Sequence, residues 1–394
     1  MYIVKAKHIH TGFPGSTMTD GFIVVESGKI KAVEQASELD RWLHEENQEV
    51  NVIDLGDVTL MPGLIDVHVH LGFSGGTDPV GRMQSRSNEQ LLVEMVSNAR
   101  LLLKSGVTTA RELGARDFLD VAVKEGIEEG LIDGPNLVIS NRPITPKGGH
   151  CWYMGCECEN EEDIRNAVHQ HAEAGADLIK IMATGGAITK GTFPWEASFN
   201  LQEMKATTEE SHGLGLKVAA HAHGVEGIRN SVDANVDTIE HCSWFTKDGI
   251  EYNEELVTDI IDKGIYICPT TNISWKIDTK RIEDRIPQLK RMYERGVKFI
   301  MGTDAGIPHV THDKYVDGLE VLALTGMTNA QLLEASTSIA AEALGVQDKT
   351  GSIEAGKDAD MIAVRGNPLD DISTLRNIEF VMRKGNIPDF VSRS

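Results

Sequence analysis

Two histidines one residue apart end an apolar run near the start of the chain. His68 and His70 lie in LMPGLIDVHVHLG, residues 60–72. The run is rich in Leu, Ile and Val and predicts a buried strand, in which residues two apart point to the same face. Two neutral imidazoles on one face can bind a single metal ion. An isolated H-x-H pair is more often a pair of ordinary strand histidines, so a metal site needs further ligands.

Further side chains with suitable chemistry follow in later apolar runs. They are Lys180 in DLIKIM, His221 in KVAAHAHG, His241 in DTIEHCS and Asp304 in KFIMGTDAG. Histidines together with a carboxylate are ingredients of a two-metal hydrolytic centre. Lys180 is unexpected there, because an unpaired ammonium between two isoleucines is costly to bury and repels metal ions. A lysine neutralised by burial can instead react with carbon dioxide, which gives an anionic carbamate able to bridge two cations.

Apolar strands alternate with amphipathic helical segments from residue 60 to about residue 329. This alternation is typical of repeated βα units and a parallel sheet. After the strand that carries His68, the predicted strands are 107–112, 136–140, 178–183, 217–221, 238–241, 265–269 and 298–302. Eight such units predict an α/β fold closed into a (β/α)₈ TIM barrel, whose active site lies at the carboxyl ends of the strands. An open doubly wound sheet is the alternative, but no G-x-G-x-x-G follows the first strand.

Short strands joined by glycine-containing turns make up both ends of the chain. The simplest arrangement pairs the two ends with each other. We therefore predict a small discontinuous β-sandwich formed by residues 1–59 and 346–394, with the barrel over residues 60–345.

Composition excludes several classes of protein. A formal net charge of −22 argues against binding to nucleic acid or to an anionic membrane surface. We find no apolar span of bilayer length and no basic-then-apolar leader, so we expect a cytoplasmic protein. As partners we expect a small-molecule substrate and further copies of the chain in a homo-oligomer. The odd number of cysteines, five, favours reduced thiols over a disulfide framework.

Loops at the carboxyl ends of the strands supply candidate substrate contacts. His150, in TPKGGHCW, is a candidate donor to an oxyanion or to a substrate carboxylate, although a surface-loop histidine is the alternative. His223 lies two residues after His221 and is a candidate for orienting the site or contacting the substrate. These loops also carry aromatic residues, which suggest a bulky or aromatic substrate group: Trp152, Tyr153, Trp195, Trp244 and Trp275. The alternative is that the tryptophans only pack the loops onto the barrel.

Basic residues indicate a substrate-binding site less clearly than the loop histidines and aromatic residues do. No single basic residue stands out as the partner of a substrate carboxylate. Arg111 and Glu112, at the end of the second strand, are equally compatible with an internal ion pair and with a binding element.

These motifs together resemble the amidohydrolase superfamily over nearly the whole chain. The match consists of H-V-H at His68 and His70, I-K-I at Lys180, H-A-H-G at His221, E-H at His241 and G-T-D-A-G at Asp304. Within the superfamily, K-I-M-A-T-G-G, H-A-H-G and I-E-H resemble the zinc-dependent Xaa-Pro dipeptidase and arginine carboxypeptidase branch, broadly called imidazolonepropionase-related.

The resemblance implies a TIM barrel with a small β-sandwich, two zinc ions and a carboxylated lysine. One metal would be held by His68, His70 and Asp304, and the other by His221 and His241. Lys180 would bridge the two. In this arrangement the metals would activate a water for attack on the carbonyl, and Asp304 would move the proton from the water to the leaving amine.

Three functions are compatible with these residues. We expect hydrolysis of a peptide-like amide, in a dipeptide or an N-acyl amino acid with a free carboxylate. Hydrolysis of a cyclic amide or imidazolone is the alternative. A catalytically inactive scaffold is the third, but such a protein would be expected to lose ligands, and all six are present.

Overall fold

The computed structural model describes residues 1–13, 15–45 and 50–391. Residues 14, 46–49 and 392–394, which belong to the predicted β-sandwich, lie outside the described part of the chain.

Strands dominate both ends of the chain, and strands alternate with helices between them. The strands are β1 (Tyr2–His10), β2 (Thr17–Glu26), β3 (Lys29–Gln35), β4 (Asn51–Asp54), β5 (Thr59–Pro62), β6 (Leu64–Val69), β7 (Val107–Glu112), β8 (Asn136–Ile139), β9 (Ile144–Pro146), β10 (Cys156–Cys158), β11 (Leu178–Met182), β12 (Lys217–Gly224), β13 (Thr238–Thr246), β14 (Gly249–Ile250), β15 (Tyr266–Cys268), β16 (Met361–Val364) and β17 (Ile378–Met382). The helices are α1 (Leu39–Glu45), α2 (Pro79–Ser85), α3 (Asn88–Lys104), α4 (Leu119–Glu128), α5 (Glu161–Glu173), α6 (Leu201–Gly213), α7 (Val225–Asp233), α8 (Glu254–Asp262), α9 (Ile273–Ile277), α10 (Thr279–Glu294), α11 (Tyr315–Ala323), α12 (Asn329–Ala335) and α13 (Ser338–Leu344). Short 3₁₀ turns cover Ala36–Glu38, Arg116–Phe118 and Ile372–Arg376.

The two ends of the chain meet in one mixed sheet. Strand β1 pairs with β2 on one side and with β4 and β5 on the other, while β16 pairs with β5 and β17 with β16. Neighbouring residues of a strand point to opposite faces, so Leu60 packs in the apolar cluster of this sheet and Met61 packs in the larger cluster next to the helices. Strand β5 belongs to this mixed sheet, and the chain passes into the parallel part after Pro62.

The remaining strands form two mainly parallel sheets. One contains β6, β7 and β8, and the other runs β10, β9, β11, β12 and β13, with β14 and β15 both paired to β13. Helices between the strands bury their apolar faces against these sheets in one extended cluster. The predicted α/β class with parallel strands is confirmed.

The segment predicted as the eighth strand, residues 298–302, is not a regular strand. It makes an isolated parallel bridge from Phe299 to Ile267, and the neighbouring Ala305 bridges to Val69. Two backbone amides in and just after this segment do not pair with a neighbouring strand. The Met301 amide donates to the Ala335 carbonyl at the end of α12, and the Thr303 amide donates to the Asp66 carboxylate. Because these donors are used elsewhere, continuous strand pairing is interrupted.

No helix within the described residues combines the length and the apolar character needed to cross a membrane. The cytoplasmic location and the homo-oligomeric state expected from the sequence stay predictions. All five cysteines are free thiols.

Candidate metal centre and substrate cavity

One cavity of about 140 Å³ lies at the carboxyl ends of the parallel strands. It collects side chains from β6, β11, β12 and β13 because parallel strands present these ends at the same edge. Its lining includes all six residues that the sequence predicts as metal ligands: His68, His70, Lys180, His221, His241 and Asp304. Residues far apart in the sequence thus meet in one place.

A first cluster of potential ligands consists of His68, His70 and Asp304. Oδ1 of Asp304 lies 3.4 Å from Nε2 of His68 and 3.2 Å from Nε2 of His70. Burial opposes ionisation of Asp304, but His68, His70 and Lys180 outweigh it and hold the pKa of this carboxyl well below its usual value. Asp304 is therefore an anion at neutral pH.

Glu240 orients His68 from behind. Its Oε2 lies 2.8 Å from Nδ1 of His68, and its Oε1 accepts from Nη2 of Arg111 at 2.7 Å and from the Thr238 hydroxyl at 2.6 Å. Arg111 also donates through Nε to the carbonyl of Val67 at 2.6 Å. A carboxylate accepts only, so His68 carries its proton on Nδ1 and directs the lone pair of Nε2 towards Asp304.

Sequence reasoning missed Glu240 as a functional residue. The signal was the I-E-H motif itself, since a glutamate inside a buried strand requires a partner. Of the two alternatives left open for Arg111 and Glu112, a mutual ion pair does not form: neighbouring residues of a strand point to opposite faces, and Arg111 pairs with Glu240. Glu112 instead accepts from the amides of Leu71 and Gly114 at 2.5 and 3.2 Å.

Glu112 also lies behind His70, in the same way that Glu240 lies behind His68. Oε1 of Glu112 is 3.8 Å from Nδ1 of His70. Burial lowers the pKa of His70, but Asp304 and Glu112 more than compensate and raise it to about 9. A metal ion that binds here must displace this proton.

A second cluster contains His221, His241 and His223. Nε2 of His221 lies 3.1 Å from the carbonyl of Gly185, which can only accept, so this nitrogen carries the proton. Nδ1 of His241 lies 2.8 Å from the hydroxyl of Thr270, whose own hydrogen is donated to the carbonyl of Pro269. His241 therefore carries its proton on Nδ1.

These tautomers leave two lone pairs facing each other. Nδ1 of His221 lies 2.9 Å from Nε2 of His241, and neither nitrogen has a hydrogen to share. Burial is the main reason that the pKa of each ring is well below its usual value, so neither ring holds a second proton at neutral pH. Two lone pairs at this distance fit a cation that both can bind. The residues present thus fit a metal at both clusters.

Two candidate ligands have strained backbones. His241 has φ 71° and Asp304 has φ 58°, in the left-handed region that non-glycine residues seldom adopt. The conformations are braced from outside, by Arg285 donating to the His241 carbonyl at 2.7 Å and by the Asp304 amide donating to the His68 carbonyl at 2.8 Å. Such strain is concentrated at functional sites.

Lys180 is buried between the two clusters, with 1% of its surface exposed. Within the described residues it has no hydrogen-bond or ion-pair partner. Burial lowers its pKa, which favours the neutral amine. An amine in this state is chemically able to form a carbamate.

His150 and His223, both predicted to contact the substrate, line the cavity. The His150 ring lies 4.6 Å from the His221 ring between centres, and burial, aided by Lys180, lowers the pKa of His150 to about 3. Gly186 makes room for it, since a Cβ there would lie 2.3 Å from the His150 ring. Nδ1 of His223 lies 2.7 Å from the hydroxyl of Ser243.

The other predicted substrate contacts are displaced from the cavity. Trp152 is 45% exposed and Tyr153 contacts Cys151, and neither lines the cavity. Trp244 is fully buried and donates to the Met292 sulfur at 3.4 Å, so its assignment as a substrate contact is wrong. Trp244 has a left-handed backbone, with φ 60°, as do His241 and Cys242 before it in β13.

Trp275, which the sequence places in a rim loop, lines the cavity together with two arginines that were not predicted, Arg281 and Arg285. The arginines come from α10, after the seventh predicted strand, and no sequence pattern singled out the face of this helix. Together with Trp275, they give the cavity a basic and aromatic side.

Comparison with known sequences identifies the family. The model of the Amidohydrolase family matches residues 59–388. The chain belongs to the amidohydrolase family. The resemblance that the sequence motifs carry is confirmed, and members of this family typically bind metals.

Individual amidohydrolases are similar to this chain over most of their length. Ochratoxinase from Aspergillus niger is 27% identical over 364 residues, covering 80% of this chain and 72% of that protein. Imidazolonepropionase from Thermoplasma acidophilum is 20% identical over 368 residues, covering 86% and 84%. A crystal structure of a Xaa-Pro dipeptidase with methionine bound in the active site superposes with a TM-score of 0.85 at 27% identity, over 98% of this chain and 99% of that one. The protein is thus an amidohydrolase with peptidase and amide-hydrolase relatives.

Proposed function

We propose that this amidohydrolase is a binuclear zinc enzyme that cleaves a peptide-like amide bond in an N-acyl amino acid or a dipeptide. The observation that carries the proposal is the pair of facing lone pairs on His221 and His241, 2.9 Å apart, beside a second cluster built on Asp304. The inactive-scaffold alternative is disfavoured because all six candidate ligands line the same cavity.

We further propose that the two parallel sheets are arcs of one TIM barrel. The small β unit predicted for residues 1–59 and 346–394 would extend to Pro62, because β5 pairs in its sheet. Backbone hydrogen bonds between the sheets support closure. The amides of Val67 and Ile267 donate to the carbonyls of Met301 and Lys298, and the Asp177 amide donates to the Ile139 carbonyl, each within 3.0 Å. A barrel brings the strand ends into one ring and so explains the shared cavity.

His68, His70 and Asp304 would hold one metal, and His221 and His241 the other. Imidazole and carboxylate ligands suit zinc. The metals would activate water and polarise the scissile carbonyl. Glu240 keeps His68 in the tautomer that can bind, and Thr270 does the same for His241.

Lys180 would act as the bridge after carboxylation. Its neutral Nζ forms a bond to the carbon of CO₂, and one proton passes from nitrogen to solvent, which leaves an anionic carbamate. Burial of Lys180 and the absence of a partner among the described residues support this role. The anion would also neutralise part of the positive charge that two metals bring.

Asp304 and His150 would perform the proton transfer and the charge stabilisation. A carboxylate oxygen of Asp304 accepts a proton from the attacking water and later gives it to the leaving amine nitrogen. His150 is neutral at working pH, and its ring N–H can donate to the oxygen that gains negative charge.

The relatives support an amide with a free carboxylate. Methionine in the active site of the similar Xaa-Pro dipeptidase is a free amino acid, as one product of dipeptide cleavage would be. Because imidazolonepropionase is also among the relatives, a cyclic amide is the competing substrate class.

A substrate screen tests the proposal. Zinc-loaded protein is assayed with N-acetyl amino acids, dipeptides, lactams and imidazolones, each with and without a chelator. We expect chelator-sensitive release of amino acids from the first two groups. Turnover of only the cyclic compounds would contradict the proposal and favour the competing class, and chelator-insensitive turnover would contradict the metal centre.

A further inference from the structure

Arg285 is a buried cation without a carboxylate partner. It is 4% exposed, lines the cavity and forms no ion pair within the described residues. Its guanidinium donates to the Ser243 hydroxyl at 2.6 Å and to the His241 carbonyl at 2.7 Å, which are neutral acceptors. The rings of Phe245 and Trp275 lie 5.8 and 5.3 Å from the guanidinium carbon. A buried charge in such surroundings is costly unless an anion completes it.

Arg281 adds a second positive charge on the same face of α10. It is four residues before Arg285, it also lines the cavity, and it too forms no ion pair within the described residues. Like charges at this helical spacing repel each other and destabilise the helix. The chain carries 60 acidic residues against 38 basic ones, so carboxylates are abundant elsewhere on the molecule. Neither arginine pairs with one of these carboxylates within the described residues, which indicates a binding site for an external anion.

The rest of the cavity restricts what that anion can be attached to. Among the described residues that line the cavity, the carboxylate is that of Asp304, which already belongs to the first ligand cluster. No acidic side chain in this described lining is thus left to bind a substrate ammonium. The aromatic rings of Phe245 and Trp275 lie next to Arg285, and Ile307 is a further apolar residue of the lining.

We propose that Arg285, assisted by Arg281, binds the free carboxylate of the amine-side amino acid, and that the enzyme selects N-acyl amino acids with apolar side chains without recognising a free α-ammonium. This inference rests on the proposed function. The placement next to the second ligand cluster is supported by two contacts: Arg285 donates directly to the His241 carbonyl, and the Ser243 hydroxyl connects it to His223. A bidentate, charge-assisted hydrogen bond from the guanidinium to the carboxylate would set the orientation of the substrate as well as attract it.

Three matched substrates test the proposal on the zinc-loaded enzyme. N-acetyl-L-phenylalanine carries the carboxylate, N-acetylphenethylamine lacks only that group, and glycyl-L-phenylalanine adds an ammonium. We expect kcat/KM for the first to exceed that for the second by at least about 10-fold, as a charged hydrogen-bonded contact supplies. The dipeptide should be cleaved no faster than the N-acetyl compound. Faster cleavage of the dipeptide by about 10-fold or more would overturn the claim about the ammonium.

Variants separate binding from positioning. Arg285→Met should lower kcat/KM for the acid by about 10- to 100-fold and bring the ratio of acid to carboxylate-free substrate close to one. Arg281→Met should reduce this ratio less, because Arg281 is more exposed. Lys290→Met removes a charge from the same helix outside the cavity and should leave the ratio unchanged. If Arg285→Met lowers kcat/KM equally for the acid and for the carboxylate-free substrate, Arg285 only stabilises the His241 backbone and the proposal is wrong.

Failure of the proposed function would look different. If wild-type enzyme cleaves neither compound, calorimetric binding of N-acetyl-L-phenylalanine and N-acetylphenethylamine replaces turnover. Carboxylate-dependent binding that is lost in Arg285→Met would support the subsite although amide hydrolysis had failed. Equal binding of the two compounds would overturn the subsite.

Discussion

Nδ1 of His221 lies 2.9 Å from Nε2 of His241, and the hydrogen bonds on the far side of each ring leave both nitrogens without a hydrogen. Two acceptors at this distance repel unless a cation binds both. The same logic applies to Nε2 of His68 and Oδ1 of Asp304, 3.4 Å apart. The polar groups on the far side of each ring therefore leave lone pairs directed into the cavity, as a metal site requires.

Replacing Glu240 by glutamine should weaken both the fold and the metal site. The change leaves Arg111 buried without its counter-charge, which should lower the free energy of unfolding by about 3–5 kcal/mol. Loss of the bond that orients His68 should weaken metal affinity by about 10- to 100-fold. Urea unfolding and zinc titration measure these effects. Glu379→Gln, which breaks an exposed pair with Arg365, serves as the control and should change unfolding by less than about 1 kcal/mol. A similarly small effect of Glu240→Gln would contradict the structural role.

Lys180→Ala should abolish turnover if Lys180 supplies the proposed anionic bridge, because alanine cannot form a carbamate. Acetate should partly restore activity by filling the gap with a carboxylate. Acetamide has nearly the same shape without the charge and should not restore it. Full activity of Lys180→Ala, or equal recovery with both compounds, would refute the carbamate.

Asp304→Asn separates proton transfer from metal binding. Asparagine keeps the size and one coordinating oxygen but cannot accept the proton at neutral pH. We expect metal content to fall little while kcat falls by at least about 10²-fold. If the metal-loaded variant loses less than about 10-fold in kcat, Asp304 is only a ligand. His150 and His223 would then be the first candidates for the base.

Gly186→Ala tests the placement of His150 without removing it. The added Cβ would lie 2.3 Å from the ring, so the ring must move. We expect kcat to fall by about 10²-fold, as it does when an oxyanion donor is lost. His150→Ala should cause a similar loss, and the double variant should be little worse than either single one. Gly213→Ala, where a Cβ meets no atom within 4 Å, is the matched control. Additive losses in the double variant would show that the two residues act separately.

The sequence predicted those parts of the site that depend on strand periodicity. His68 and His70, and likewise His221 and His223, follow the rule that alternate strand residues share a face, and strand ends in a parallel fold meet at one edge. Glu240 also lies in a predicted strand but was overlooked. The sequence shows no partner for a single acidic residue in a buried strand, and only the structure places Arg111 beside it.

Other features depend on tertiary geometry that a sequence pattern does not encode. Trp244 was assigned to a rim loop at residues 243–247, whereas β13 continues to Thr246 and Trp244 is fully buried within it. Arg285 lies on a helix whose apolar spacing predicts only that one face is buried, not that this face covers the cavity. Residues 298–302 contain an apolar run typical of a buried strand, but the amide of Met301 bonds to the end of α12 instead of a neighbouring strand.

Metal removal and stepwise restoration test the central claim most directly. The protein is stripped with a chelator, returned to bicarbonate buffer, and titrated with zinc while bound zinc per chain and hydrolysis of N-acetyl-L-phenylalanine are measured together. We predict no hydrolysis by the stripped protein and full activity at two zinc ions per chain. Full activity without metal, or a plateau of both binding and activity at one ion per chain, would contradict the binuclear centre.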